Sequence, residues 1–142
     1  MTIRPKAERF DAQFYRRHYE DRQTRVVSPA EMRRRAQLIA AFVGYGEWPV
    51  RSILDVGCGL GLLRRVLLER FPRARYTGLE VSAYLCERHG WEHGSITTFD
   101  PGRQYDLVVC YDVLQYLDAA DATLALRNLA RLSEGVLHFG AL

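Results

Sequence analysis

The stretch ILDVGCGLGLLRRVL, residues 53–67, combines three patterns that decide the fold class. It opens with an apolar run that contains one acid, Asp55, and it ends with the apolar spacing of a helix. Between these two parts, Gly57, Gly59 and Gly61 occupy every second position. Glycine is needed where a backbone turns sharply or approaches a ligand without an intervening side chain. The stretch therefore predicts a strand, a ligand-binding glycine loop and a helix, in that order.

The rest of the chain alternates between patterns typical of strands and of helices. Further strands are expected over 75–81, 106–110 and 135–142, with at best a short one within 91–96. Helices are expected over 7–20, from Pro29 to Gly44 or Gly46, and over 63–71, 82–90 and 118–135. Such alternation predicts an α/β fold, a Rossmann-like doubly wound parallel sheet with helices on both faces. This kind of sheet binds ligands at the carboxyl ends of its strands, where the glycine loop falls.

The chain is expected to have two parts, an N-terminal helical lead-in or lid over residues 1–49 and a core over 50–142. In the first part, Ser28 is suited to cap a helix that starts with Pro29. Tyr15 and Tyr19 either close over the ligand site as a lid or pack in the core; the pattern leaves both interpretations open.

The composition limits the functional classes. The 142 residues carry a net charge of +3, with ten Lys and Arg against six Asp and Glu in residues 1–50. A solvated helix face explains this excess better than a nucleic-acid surface, so we do not expect nucleic acid as a partner. No apolar run approaches the length of a membrane span and no secretory leader is recognisable, so a cytoplasmic protein without membrane contact is expected.

The cysteines and histidines do not indicate a disulfide framework or a metal centre. The three cysteines, Cys58, Cys86 and Cys110, are odd in number and far apart in sequence. Cys86 lies near two histidines, but Gly90 breaks any helix that would align them, and we expect no metal.

The glycine loop departs from both phosphate-binding patterns. A Walker loop needs a lysine after its last glycine, whereas Lys6 is the only lysine in this chain. The dinucleotide pattern is G-x-G-x-x-G, and the position of its third glycine is Leu62 here. Asp55, two residues before the first glycine, is also outside that pattern. A nicotinamide oxidoreductase is therefore a minor alternative.

The stretch LDVGCGLG, residues 54–61, resembles motif I of the class I S-adenosylmethionine-dependent methyltransferases. Glu80 ends the second expected strand, as the acid that takes the ribose hydroxyls does in that family. The stretch YDLVVCYDVLQYL, residues 105–117, resembles the motif IV region, and the N-terminal FYRRHYED is similar to the helical lead-in of small-molecule members. The resemblance to the core covers residues 50–142.

The resemblance implies S-adenosylmethionine as the cofactor, and it assigns roles to the residues that match. Glu80 would accept hydrogen bonds from the ribose, and the backbone at Gly57 and Gly59 would approach the methionine part of the ligand. Asp55 would orient the loop or, through water, the ammonium group. Further candidates are Val81 on the adenine face, Ser95 and Ile96 at the adenine amino group, and the Cys110 carbonyl at the ammonium. Cys58 and Gly61 complete the candidate set.

The implied function is methyl transfer to a small-molecule O, N or C nucleophile, with product S-adenosylhomocysteine. No catalytic residue is assigned, since methyl transfer can proceed by alignment of the nucleophile, the methyl group and the leaving sulfur alone. Asp112 is a candidate base. His138 is expected in a pocket wall or in the core. The alternative is an inactive cofactor-binding module or partner subunit. Nucleic-acid methylation is also open, although CYDV stands where many such enzymes have Asn/Asp-Pro-Pro-aromatic.

The family sheet usually has seven strands, and the expected elements here end at the fifth. Strands 6 and 7 are therefore expected to be missing, which would leave the fifth strand as an exposed edge. Exposed edges are normally covered, so either the sequence is a fragment or a truncated form, or a homodimer or a partner covers the edge.

Overall fold

The computed structural model describes residues 10–20 and 28–140, and a five-stranded sheet forms its centre. The strands are β1 (Ser52–Val56), β2 (Arg75–Glu80), β3 (Glu92–His93), β4 (Tyr105–Tyr111) and β5 (Ser133–Gly140). Their order is β3-β2-β1-β4-β5, and every pairing is parallel. The predicted Rossmann-like sheet is confirmed, with β3 reduced to two residues.

Five α-helices connect or precede the strands of the described ranges. They are α1 (Ala12–Tyr15), α2 (Pro29–Tyr45), α3 (Leu62–Arg70), α4 (Ala83–His89) and α5 (Ala119–Leu132). A π-helical segment, Arg16–Glu20, continues α1. The predicted Ser28 cap forms, since Ser28 Oγ accepts from the Glu31 N–H, and Ser82 Oγ caps α4 by accepting from the Leu85 N–H. Residues 7–9 of the predicted first helix lie outside the described residues.

Each face of the sheet is covered by a separate apolar cluster. On one face, α2 and α3 pack Ile39, Val43 and Leu67 against β1 and β4. On the other face, α5 packs Leu129 and Leu132 against the same two strands. Because β1 and β4 are buried on both faces, their sequences are nearly continuous apolar runs rather than alternating ones. Helices on both faces confirm the doubly wound architecture.

The boundary between α5 and β5 differs from the prediction. The helix was predicted to continue to residue 135, but it ends at Leu132, and Ser133 already has an extended backbone (φ −93°, ψ 121°). Gly135 belongs to β5, where a Cβ atom would lie 2.3 Å from the Asp106 carbonyl oxygen. The glycine therefore permits a close approach of β5 to β4 rather than ending a helix.

The strand order places the topological switch between β1 and β4. The chain leaves β1 towards β2 on one side and enters β4 on the other side. Ligands of such sheets bind in the crevice at this point. The glycine loop after β1 and the segment after β4 therefore border the expected binding site. Among the described strands, β5 pairs with β4 alone.

Candidate functional site

A cavity of about 330 Å³ lies at the carboxyl ends of the strands, beside the switch point. Its size is at the lower end of the range for small-molecule sites. Eight of the ten residues predicted to bind the cofactor line it: Asp55, Gly57, Cys58, Gly59, Glu80, Val81, Ser95 and Ile96. The N-terminal segment covers it with Phe10, Phe14 and Tyr15.

The other two predicted residues, Gly61 and Cys110, do not line the cavity. Gly61 precedes α3 with φ +72°, and a Cβ atom there would lie 2.7 Å from the Trp91 ring. Gly61 therefore permits the left-handed turn before α3 and leaves room for the Trp91 ring. Cys110 is fully buried within β4, in the cluster on the α5 face. The proposed contact of its backbone carbonyl with an ammonium group stays a prediction.

The glycine loop requires glycine for two different reasons. Gly57 has φ +66°, and a Cβ atom there would lie 2.4 Å from a methyl carbon of Val113. Gly59 has φ +54°, yet the nearest atom to its Cβ would be 4.0 Å away. The first glycine is needed for packing against the segment after β4, whereas the second leaves space open beside the cavity.

Trp91 packs against the glycine loop, a contact that the sequence analysis did not predict. Its Nε1–H donates to the Gly59 carbonyl over 2.9 Å. Its ring also occupies the space opposite Gly61 and Gly78, where added Cβ atoms would lie 2.7 Å and 2.8 Å from it. A hydrogen bond and a flat apolar surface together therefore hold the loop in place.

Glu80, at the end of β2, collects hydrogen bonds from three elements although it is only 4% exposed. Its Oε2 accepts from the Gly59 N–H over 3.0 Å. Its Oε1 accepts from the N–H groups of Val81 and Ser82 over 2.9 Å and 3.1 Å, and from the Tyr15 hydroxyl over 3.3 Å. These donors compensate the burial of the carboxylate and tie it to the glycine loop.

Asp55 is a buried carboxyl group inside β1. Burial, opposed by the Tyr76 hydrogen bond and reinforced by the charge of Glu80, raises its pKa from 3.8 to about 7. The Tyr76 hydroxyl donates to its Oδ2 over 2.5 Å. A neighbouring positive charge would favour the ionised form of this group.

The N-terminal segment, residues 10–20, is held over the cavity by several contacts. Besides the Tyr15 bond to Glu80, the Ser82 hydroxyl donates to the Phe10 carbonyl over 2.5 Å. The Phe10 ring also meets Tyr116 edge-on at 5.6 Å. Tyr15 thus lines the cavity and is buried, and its closing over a ligand as a lid stays a prediction. The side chain of Tyr19 lies outside the described residues.

A second polar cluster lies where β4 and β5 end, and it was not anticipated as a unit. The Tyr111 hydroxyl and His138 Nε2 share a short hydrogen bond. Arg35, from α2, places its guanidinium 4.0 Å from the Tyr111 ring centre and pairs with Asp112 over 3.1 Å. Asp112 has φ +55°, a conformation that aspartate tolerates better than most residues.

The described wall of the cavity carries acids but no Lys or Arg side chain. Its carboxyl groups belong to Asp55, Glu80, Asp112, Asp118 and Asp121. Even with the charge of Asp112 offset by Arg35 behind the wall, this lining suits a positively charged ligand. It disfavours a pyrophosphate, whose charges would face carboxylates without compensation.

The cysteines of the site are suited to packing rather than chemistry. Burial raises the pKa of the Cys58 thiol far above its ordinary range and that of Cys110 to about 12. Such thiols are inert as nucleophiles. Within the described ranges, no three His, Cys, Asp or Glu side chains are grouped to hold a metal ion. None of the described helices has the length and apolar character to span a membrane.

The family model described as "Methyltransferase domain" matches residues 54–134 of the chain. The match covers more than half of the chain, and the chain belongs to this methyltransferase family. It contains the glycine loop, Glu80 and the Tyr111–Asp112 turn, and so the central parts of the site just described.

Relatives differ in the acceptors that their names state. A tRNA1(Val) (adenine(37)-N6)-methyltransferase of Vibrio cholerae is 33% identical over 72 residues, 42% of this chain and 30% of that protein. A trans-aconitate 2-methyltransferase of Deinococcus radiodurans is 35% identical over 98 residues, 68% of this chain and 38% of that protein. The chain thus spans about a third of the length of these curated relatives.

A solved structure with a similar fold has S-adenosylmethionine bound. CalS10, an amino pentose methyltransferase from Micromonospora echinaspora with S-adenosylmethionine bound, superimposes with a TM-score of 0.69 at 25% identity. The match covers 78% of this chain and 51% of that one.

Proposed function

We propose that the chain binds S-adenosylmethionine in the cavity and transfers its methyl group to a small-molecule O, N or C nucleophile. The observation that carries this proposal is that every charged side chain of the described cavity wall around the glycine loop is an acid. S-adenosylmethionine has a sulfonium and an ammonium group against one carboxylate and no phosphate, so its net positive charge complements this wall. The family membership of the chain supports the same conclusion.

Glu80 is the residue that we propose for the ribose hydroxyls. Its Oε1 already accepts a hydrogen bond from a hydroxyl group, that of Tyr15. A ribose hydroxyl would therefore take the place of Tyr15 or share the carboxylate with it. Either arrangement couples cofactor binding to the covering N-terminal segment.

The remaining roles follow the position of each residue in the cavity wall. The open space beside Gly59 would admit the methionine part of the ligand, and Asp55 would act on its ammonium through water. Val81, Ser95 and Ile96 would border the adenine. The bound ligand supplies an activated methyl group, and the protein needs to align an acceptor with it.

A small-molecule acceptor fits the charges better than a nucleic acid does. Proteins that bind nucleic acids meet the phosphate backbone with lysines and arginines. The described wall offers carboxylates instead, which would repel phosphates near the methyl group. The acceptors named for the trans-aconitate and amino pentose relatives support the same class.

A cytoplasmic location and a copy or partner that covers the β5 edge also remain proposals. The unpaired side of β5 within the described sheet supports the second.

Calorimetric titration of the chain with S-adenosylmethionine, S-adenosylhomocysteine and NAD tests the proposal. We expect saturable binding of the first two ligands and none of NAD. NAD binding, or no binding by a chain with cooperative unfolding, would contradict it. Incubation with methyl-tritiated S-adenosylmethionine then separates an enzyme from an inactive cofactor-binding module, which would bind the ligand without transferring label.

A further inference from the structure

The Tyr111–His138 pair connects the cavity to a partly buried proton acceptor. Tyr111 lines the cavity, whereas His138 is not part of the cavity wall and bonds to the Tyr111 hydroxyl. Gly140 makes this placement possible, because a Cβ atom there would lie 2.8 Å from the Tyr111 ring. Register pairs Val109 with His138 and Tyr111 with Gly140, so adjacent strands position the pair.

Burial and the charge of Arg35 keep the imidazole neutral. Burial first, and then the Arg35 charge, lowers the pKa of His138 below 6.5. The ring is therefore neutral at pH 7, and one of its nitrogens can accept a hydrogen bond. Arg35 is itself flanked by Asp112 at 3.1 Å and Glu31 at 4.0 Å, which offset its charge.

Tyr111 at rest is a neutral phenol. Burial, together with the charge of Asp112 and against the charge of Arg35, raises the pKa of Tyr111. A free phenolate would therefore be costly at neutral pH. The hydroxyl can nevertheless pass its proton to His138 while it receives another, so no phenolate need accumulate.

We propose that Tyr111 takes the proton of the methyl acceptor while passing its own proton to His138, so that the acceptor atom is one that carries a hydrogen rather than a carboxylate oxygen. This inference rests on the proposed methyl transfer and narrows its acceptor class. Tyr111 would touch the acceptor, and His138 acts through Tyr111. A carboxylate acceptor, already ionised at neutral pH, would not need this pair.

The step balances in atoms and charge. A lone pair of the acceptor atom forms the new bond to the methyl carbon, and the carbon–sulfur bond breaks with its electron pair going to the sulfonium sulfur. The acceptor proton moves to Tyr111 Oη, and the Tyr111 proton moves to His138 Nε2. The positive charge lost at sulfur reappears on the imidazolium, which then releases a proton to water because His138 is only partly buried.

Other groups near the cavity are less suited to this task. Asp112 Oδ2 is held by Arg35 at 3.1 Å, and its Oδ1 lies 3.5 Å from the Gln115 amide nitrogen. Asp55 Oδ2 accepts from the Tyr76 hydroxyl. Tyr111 combines a place in the wall with a neutral base directly behind it.

The test compares Tyr111→Phe and His138→Gln with Tyr45→Phe, a control at a site that is 91% exposed. Nitrogen-15 NMR of labelled histidines reports the tautomer and titration of His138 without any acceptor. Calorimetry reports cofactor affinity. Transfer of tritiated methyl to catechol and D-glucosamine reports a hydroxyl or amine acceptor, and transfer to trans-aconitate reports a carboxylate acceptor, each over a range of pH.

We expect a neutral His138 at pH 7 with its proton on Nδ1, and a higher His138 pKa in Tyr111→Phe, where the donor to Nε2 is lost. Both variants should bind S-adenosylmethionine like the unmodified chain but transfer methyl about 100-fold more slowly, a typical contribution of general-base catalysis. The hydroxyl or the amine probe should be the acceptor, and its rate should fall at acid pH with the titration of His138.

Several results would overturn the inference. They are a charged His138 at pH 7, unchanged transfer rates in both variants, transfer to trans-aconitate alone, or cofactor binding without transfer to any of the three probes. Failure of the cofactor to bind is a different result, because it removes the proposed function itself and is detected by calorimetry before any acceptor is added.

Discussion

The replacement Glu80→Gln isolates the charge of the carboxylate from its shape. Three donors converge on Oε1, from Tyr15, Val81 and Ser82, so the amide oxygen of Gln is expected to keep that place. The amide NH₂ must then face the Gly59 N–H, where Oε2 now accepts over 3.0 Å. Two donors would face each other, and the side-chain hydrogen bond between β2 and the glycine loop would be lost, while the backbone bond from the Gly57 N–H to the Leu79 carbonyl would stay.

The size of the effect follows from the kind of bond removed. A hydrogen bond to a charged group contributes about 1.5–3 kcal/mol. If one ribose hydroxyl loses its charged acceptor, the dissociation constant for S-adenosylmethionine should rise about 10- to 150-fold. Calorimetric titration measures this change directly, and urea unfolding of the ligand-free variant measures the separate loss of the loop contact.

Glu87→Gln provides the matched control, because Glu87 is exposed on α4. It should leave both the affinity and the free energy of unfolding nearly unchanged. If Glu80→Gln binds S-adenosylmethionine as tightly as the unmodified chain, Glu80 does not hold the ribose and the assignment of the cavity is wrong.

Three further predictions concern the loop and the buried acid. Gly59→Ala should lower the free energy of unfolding only by the left-handed backbone strain, about 1–2 kcal/mol, yet block cofactor binding. Gly57→Ala should lose more stability, because its Cβ atom would lie 2.4 Å from a valine methyl carbon. Equal stabilities of the two variants would contradict this. Trp91→Phe removes the 2.9 Å hydrogen bond to the Gly59 carbonyl. Because a neutral hydrogen bond contributes about 1 kcal/mol, the variant should bind the cofactor about 5-fold more weakly. The control Trp48→Phe should leave cofactor binding unchanged. Because the Asp55 pKa is raised from 3.8 to about 7, the unmodified chain should lose stability as pH rises through that window. The largest loss of unfolding free energy that this shift allows is about 4 kcal/mol, at about 1.4 kcal/mol per pKa unit. Urea unfolding at pH 4 and pH 8 measures this loss, and Asp55→Asn should abolish it. A loss that persists in the variant would refute its assignment to Asp55.

The parts of the site that sequence reasoning predicted are local in the chain. Gly57 and Gly59 belong to one spaced motif, and the place of Glu80 at a strand end follows from the apolar run before it. The strand and the helix that flank the loop set where these residues lie. For this reason Glu80 and both glycines line the cavity as expected.

The parts that were missed depend on contacts between distant segments. Trp91 lies 32 residues after Gly59, and no periodic pattern indicates that its indole donates to that carbonyl. The Tyr111–His138 bond joins residues 27 apart and depends on the register of β4 with β5. The Cys110 side chain is buried in the α5 cluster, and the contact of its backbone carbonyl with the ammonium group, which the resemblance implies, stays a prediction.

A crystal structure of the chain grown with S-adenosylhomocysteine would show whether the acidic cavity holds S-adenosylmethionine through Glu80. We expect the ligand beside Gly57 and Gly59, with its ribose hydroxyls within hydrogen-bond distance of the Glu80 carboxylate and the Tyr15 bond displaced or shared. A ligand bound elsewhere, or one whose ribose does not contact Glu80, would contradict it.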